Sequence, residues 1–466
     1  MKISSSKIAF IPIFLLSVII FFLPPPVGID TQVMKGAAVI ILAIGLWSTA
    51  VLPASFGSLI FLFVTVVLAI APPTIVFSGF HSGATWLVFG GLIFGLGVKR
   101  TGLDTRLVRS LLVNFPKAYI AMIYGVFWIG TSLAFIIPSA SGRVAVLVPI
   151  MAALAKEVGF GDDPLSSGKG RTGLILAASM GTMVPAFNIL PANVPNMALY
   201  GAADSVLNIQ LTFTEYLLLN FPVMGFFPLL VYPAVIALLF WDVPIYQEPK
   251  QESKLWSGEE RRLLIILLIA LVLWITDSFH GISPAWVSLG AAIVCLLPRI
   301  GMLSSSVLGG EINYSPVLFL AGVIGLGAVA NHVGLGTLIA ENILSILNLQ
   351  KGADFQNFAS ISITSMIIGL FTTMPAQPPI IVAMASVLAE ATGWSQMSVI
   401  MTAITAWGVF PFFYQAPPVV VAVALGNLRI SDVTKMLVVY MIIGILLKLP
   451  LHFFWGQYVG KFVAVN

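Results

Sequence analysis

Residues 136–150, IIPSASGRVAVLVPI, set a proline, two serines, a glycine and one arginine inside an otherwise oily run. This stretch, a polar, non-helical tip between two apolar arms, does not fit a simple spanning helix. With arms at 118–137 and 143–155 it reads as a re-entrant hairpin over 117–156, with PSASGR at its tip. Irregular backbone at membrane depth is tolerated only where it is buried in protein or lines a cavity. Arg143 therefore needs a reason to be there, since an arginine at a helix centre costs about 2.5–3.5 kcal/mol on insertion scales.

Outward from the hairpin, the whole chain reads as membrane. Of 466 residues, 59% are hydrophobic and 9% charged, against roughly 25% charged in soluble domains. Apolar runs recur throughout, giving an all-α integral membrane protein with about 11 transmembrane helices. The first run, Ile8 to Leu23, follows Lys2 and Lys7 as in a signal peptide, but FFLPPPVG follows it where a small-residue cleavage site would stand. It is expected to be the first spanning helix. A second hairpin covers 356–392, with TTMPAQPP at its tip. Two spans are interrupted, 172–200 by VPAFNILPANVPN and 397–425 by PFFYQAPP.

The one long hydrophilic stretch, 242–262, divides the chain into 1–241, a first helix plus a first repeat, and 263–466, a second repeat. FGGLIFGLGVKRTGLDTRL at 89–107 matches LAGVIGLGAVANHVGLGTLI at 320–339. Gly90, Gly95, Gly102, Leu103 and Thr105 recur as Gly322, Gly327, Gly334, Leu335 and Thr337, each pair 232 positions apart, as 90 is from 322. The copies start on opposite sides, so the repeat is inverted, and inverted repeats with broken helices mark secondary transporters.

Charge orients the chain. With the N-terminus in the cytoplasm, Lys and Arg collect on that side, and outside fall only Lys35, Lys351 and Lys461, as the positive-inside rule requires. Topology thus explains the net charge of +4, and no nucleic-acid partner is implied. Lys448 is expected to snorkel from near the end of the last helix. Cys295 stands alone and the four histidines lack metal-ligand spacing, so no disulfide or metal centre is expected.

The chemistry points to an anion. Each break starts a half-helix whose unpaired N–H groups and positive dipole end face the interior. All 18 acidic residues fall in loops or at helix ends, whereas a proton relay normally uses intramembrane carboxylates. The expected substrate ligands are Ser139, Ser141, Arg143, Asn193, Asn196, Thr373, Gln377 and Pro418, with Arg143 meeting an anionic group through its planar fork. A sodium ion could take oxygens from Ser139, Ser141, Asn188 and Thr373. An intramembrane enzyme is disfavoured, because no base lies within reach of Ser139 or Ser141.

These residues resemble the divalent anion/sodium symporter family, whose members carry dicarboxylates, citrate and sulfate. The likeness runs through TWLVFGGLIFGLGVKRTGLD, PSASGRVAVLVPI, ILAASMGTMVPAFNILPANVPNMALYG with LTFTEYLLLNFPV, INYSPVLFLAGVIGLG and YQAPPVVVAVALGNLRISDV. The resemblance implies a homodimer, an elevator mechanism, and Ser-Asn-Thr motifs at both hairpin tips that bind sodium and substrate. The first motif falls on Ser139, Ala140 and Ser141, without its asparagine, and the second on Thr373, Met374 and Pro375. The family's Pro-Pro-Asn falls on Val194, Pro195 and Asn196, and its counterpart on Pro417, Pro418 and Val419. The expected protein is a multi-pass inner-membrane transporter of di- or tricarboxylates, without a cofactor, working by sodium symport or anion exchange. An arsenite or cation/proton antiporter of the same superfamily is the alternative.

Overall fold

The computed structural model describes residues 5–49, 51–103, 106, 118–135, 137, 139–161, 168–244, 256–372 and 374–465, and no strand occurs among them. The first half comprises α1 (Ser5–Phe22), α2 (Thr31–Thr49), α3 (Ala54–Val67), α4 (Gly83–Thr101), α5 (Tyr119–Ala134), α6 (Ala140–Glu157), α7 (Lys169–Met183), α8 (Val194–Leu207) and α9 (Phe213–Leu239). The second comprises α10 (Gly258–Ile275), α11 (Pro284–Leu296), α12 (Ser315–His332), α13 (Leu335–Leu347), α14 (Asp354–Phe371), α15 (Gln377–Thr392), α16 (Gln396–Met401), α17 (Ala403–Trp407), α18 (Pro417–Gly426) and α19 (Ile430–Tyr458). Among the described residues, α2, α9, α12 and α19 are each long and apolar enough to cross a membrane.

Helix ends follow local chemistry. Ser82 starts α4 by accepting from the Ala84 N–H at 3.2 Å, and Gly102 ends it at φ +74°, a left-handed conformation open to glycine. Ser257 and Glu260 start α10 with reciprocal bonds of 3.1 and 2.7 Å, a capping box. Glu260 also accepts from Arg106 Nε at 2.7 Å.

The same element order occurs twice. Hairpin arms α5 and α6 correspond to α14 and α15; the broken pair α7 and α8 corresponds to α16, α17 and α18. The long closing helices α9 and α19 each contain a π turn, at Phe221–Gly225 and Gly444–Lys448. Contacts exchange between halves in the same pattern, α4 packing on α11 and α12 on α3, with α18 against α6 and α8 against α15. The glycines paired in the sequence explain this. A Cβ at Gly90 would collide with Ser288, and one at Gly322 with Ser58. Each serine then donates to a backbone carbonyl of the facing helix, Ser288 to Leu87 at 3.2 Å and Ser58 to Phe319 at 3.4 Å. Small residues permit this close approach, as in membrane helix packing generally.

Lys448 departs from expectation. It is fully buried in the π turn of α19, donating to the Gly408 carbonyl at 3.0 Å, and does not snorkel.

Candidate functional site

All four sequence breaks reach one cavity of about 320 Å³. Ser139, Ala140 and Ser141 come from the first hairpin tip, and Asn193, Val194 and Pro195 from the first broken helix. Met374 and Pro375 come from the second tip, Pro417 and Pro418 from the second break. Ser55 and Ser315 close the remaining side and lie 3.3 Å apart, oxygen to oxygen.

The helix starts give the cavity its electrostatics. The first residues of α3, α6, α8, α12 and α18 all line it. First-turn N–H groups have no acceptor within their own helix, and the aligned peptide dipoles put partial positive charge there. Ser139 caps α6 by accepting from Gly142 N–H at 3.2 Å, and Asn193 Oδ1 caps α8 by accepting from Val194 N–H at 3.1 Å. Among the described residues, the lining contains no Asp, Glu, Lys or Arg. An anion can enter without meeting a like charge.

The expected ligands divide into two sets. Ser139, Ser141, Asn193 and Pro418 line the cavity. Thr373 lies outside the described residues.

Arg143, Asn196, Asn188 and Gln377 stand behind the wall, which corrects the direct contact expected of Arg143. Its side chain is fully buried, Nη1 donating to Ile137 O and to Ala192 O at 3.2 Å, and Nη2 to Thr182 O at 2.8 Å. The break exposes carbonyls that no helix bonds, and the five-donor guanidinium fork satisfies several at once. Asn196 Nδ2 serves Ala186 O and Ile189 O at 2.9 and 2.8 Å. Asn188 Nδ2 reaches Val184 O and Pro185 O, each at 3.4 Å. Gln377 donates to Ser365 O at 3.2 Å and accepts from Trp407 Nε1 at 2.7 Å, so it ties α15 to α14 and α17.

Sequence reasoning missed Ser55 and Ser315. Their signal was available, since Pro53 and Pro316 flank them as prolines flank helix starts. The apolar lining residues Met183, Phe187 and Phe319 carried no such sign.

Comparison with known proteins agrees with this architecture. A solved structure, the YdaH transporter of Alcanivorax borkumensis, aligns with a TM-score of 0.52 at 14% identity, covering 93% of this chain and 100% of that one. That likeness concerns the fold alone. The L-tartrate/succinate antiporter of Escherichia coli strain K12 is 26% identical over 280 residues, which cover 57% of each protein. YflS of Bacillus subtilis strain 168, named as a candidate malate transporter, is 25% identical over 293 residues, covering 60% of this chain and 61% of that relative. The family profile described as the sodium:sulfate symporter transmembrane region matches residues 5–462. With that match spanning nearly its whole length, the chain belongs to the sodium:sulfate symporter family, a family of membrane transporters rather than of enzymes.

Proposed function

We propose that the protein is a secondary active transporter that exchanges small dicarboxylates across the inner membrane. The observation that carries this reading is the convergence of five helix starts on one cavity that, among the described residues, is lined by no acidic side chain. Such a site favours anions through dipoles and free N–H groups. The relatives named for tartrate, succinate and malate supply the chemical class. The antiporter alternative needs carboxylates at the transport site, and the lining offers none among the described residues.

Exchange without sodium is supported by Arg143, whose guanidinium already engages the carbonyl oxygens of Ile137, Thr182 and Ala192, the kind of oxygen a sodium ion would use. A second reading, sodium symport, rests on Asn188 Oδ1 and Asn196 Oδ1, buried acceptors without a donor. The hairpins and broken helices form one wall of the cavity, and the starts of α3 and α12 form the other. This division suits an elevator in which the first group slides past the second. With the N-terminus in the cytoplasm, α3 and α12 both begin on the cytoplasmic side, so this arrangement is inward-facing. The reading includes a homodimer, as the resemblance implies.

Proteoliposomes test it. Vesicles preloaded with succinate should take up labelled succinate in choline buffer, and empty vesicles should not. Uptake that depends absolutely on sodium would establish the symport reading instead.

A further inference from the structure

The cavity distributes its polar groups unevenly. Asn193 lines the cavity and is 6% exposed; its Oδ1 is held by the Val194 N–H, and its Nδ2 is buried behind the surface without a partner. An unpaired buried donor is unfavourable until a ligand meets it. Beside it stands the start of α6, with first-turn N–H groups that lack intrahelical acceptors. The start of α18 adds dipole but few donors, because Pro417 and Pro418 carry no N–H.

Apart from the serines at the helix starts, Ser55, Ser139, Ser141 and Ser315, the rest of the wall is apolar. Met183, Phe187, Phe319 and Met374 face the cavity. Phe187 is held in place from behind: its carbonyl accepts from Tyr216 at 2.7 Å, and its ring packs 5.7 Å from Trp407. Ser315, on the far side, is exposed.

We infer that the site selects dicarboxylates with an apolar carbon body, one carboxylate meeting Asn193 Nδ2 and the α6 start, the methyl- or ring-bearing body packing on Met183, Phe187, Phe319 and Met374. The inference rests on the dicarboxylate reading above and narrows it. Hydroxyls on a ligand body packed against these four side chains would leave water for a face that offers no partner, and that desolvation is not returned. The volume of about 320 Å³, near the lower end of ordinary small-molecule sites, leaves room for added methyl groups. Each well-placed methylene is worth roughly 10–200-fold in affinity. The second carboxylate points to the exposed side near Ser315.

The test uses the full chain in lipid nanodiscs, titrated with succinate, 2,2-dimethylsuccinate, L-tartrate and citrate. Dimethylsuccinate should bind at least about tenfold more tightly than tartrate. Phe319→Ser should narrow that ratio, and Asn193→Ala should weaken both ligands by about tenfold or more. Equal or tighter binding of tartrate or citrate overturns the inference and leaves anion transport standing. Failure of every dicarboxylate to bind overturns both, and an unchanged ratio in folded Phe319→Ser removes the apolar wall from the explanation.

Discussion

The two helix breaks solve one problem by different means. Between Met183 and Val194 the first break is wholly buried, and its carbonyls are met by side chains: Arg143, Asn188, Asn196 and Tyr216. Between Trp407 and Pro417 the second is partly open, with Phe412 43% exposed. There Lys448 serves Gly408 O, and Gln415 reaches Gly369 O at 2.7 Å while accepting from Phe412 N–H. Buried irregular backbone must find every partner within the protein, whereas exposed backbone can use water. The first break is therefore held from within the protein, with Arg143 serving three carbonyls in and beside it. The second depends less on any single side chain.

Removing each anchor measures that difference. Arg143→Met deprives three carbonyls of a donor, each loss worth about 1–3 kcal/mol. The expected result is collapse of folded yield in fluorescence-detected size-exclusion chromatography. A folded Arg143→Met protein that had lost only ligand binding would return Arg143 to the cavity. Lys448→Met removes one donor from a carbonyl that the Tyr232 hydroxyl also reaches, at 3.5 Å, so a loss of about 1 kcal/mol is expected, read as a moderate fall in Tm. If it unfolds the protein as Arg143→Met does, the contrast between the breaks fails.

Asn193→Ala removes the α8 cap, and about 0.5–2 kcal/mol of stability should go with it. Its loss of ligand-induced thermal stabilisation should be the more visible effect, since binding to the folded form raises stability by mass action. The smallest effect is expected far from both breaks. Ser257→Ala should lower stability by about 1 kcal/mol through loss of the α10 cap.

The same corner carries a pH dependence. The hydrogen bond from Arg106 holds the Glu260 carboxyl below its ordinary range. A lowered carboxylate pKa contributes stability above the unfolded value, and that contribution is lost as pH falls through the folded one. Acid titration of Tm should show this loss, and Glu260→Gln should remove that part of the slope.

Much of the architecture was legible because its marks are covalent. VPAFNILPANVPN and PFFYQAPP contain prolines that cannot continue a helix, and the breaks stand where those residues are. Gly90 and Gly322 were legible as a pair because close packing demands the smallest residue at both.

The partners of polar side chains were less legible. Arg143 and Gln377 were expected to face a ligand, but their partners are carbonyls and an indole N–H brought near by tertiary packing. Every residue has a carbonyl, so the sequence does not mark which one is waiting. Lys448 was misplaced because α19 continues past it to Tyr458, so the lysine lies within the helix and turns inward to Gly408 O. The tail beyond α19 turns back at Phe462, with φ +55°, and Phe462 packs on His452 and Phe358.

One further contact bears on how such a chain is made. Tyr232 of α9 and Tyr440 of α19 stack with ring centroids 3.8 Å apart, and Tyr440 donates to the Tyr232 carbonyl at 2.9 Å. Arg171 of α7 reaches across to Gly426 O of α18 at 2.9 Å. The halves thus grip one another through groups that each supplies independently of the peptide joining them. Two fragments translated separately, cut between α9 and α10, are expected to find each other in the bilayer and rebuild one working carrier.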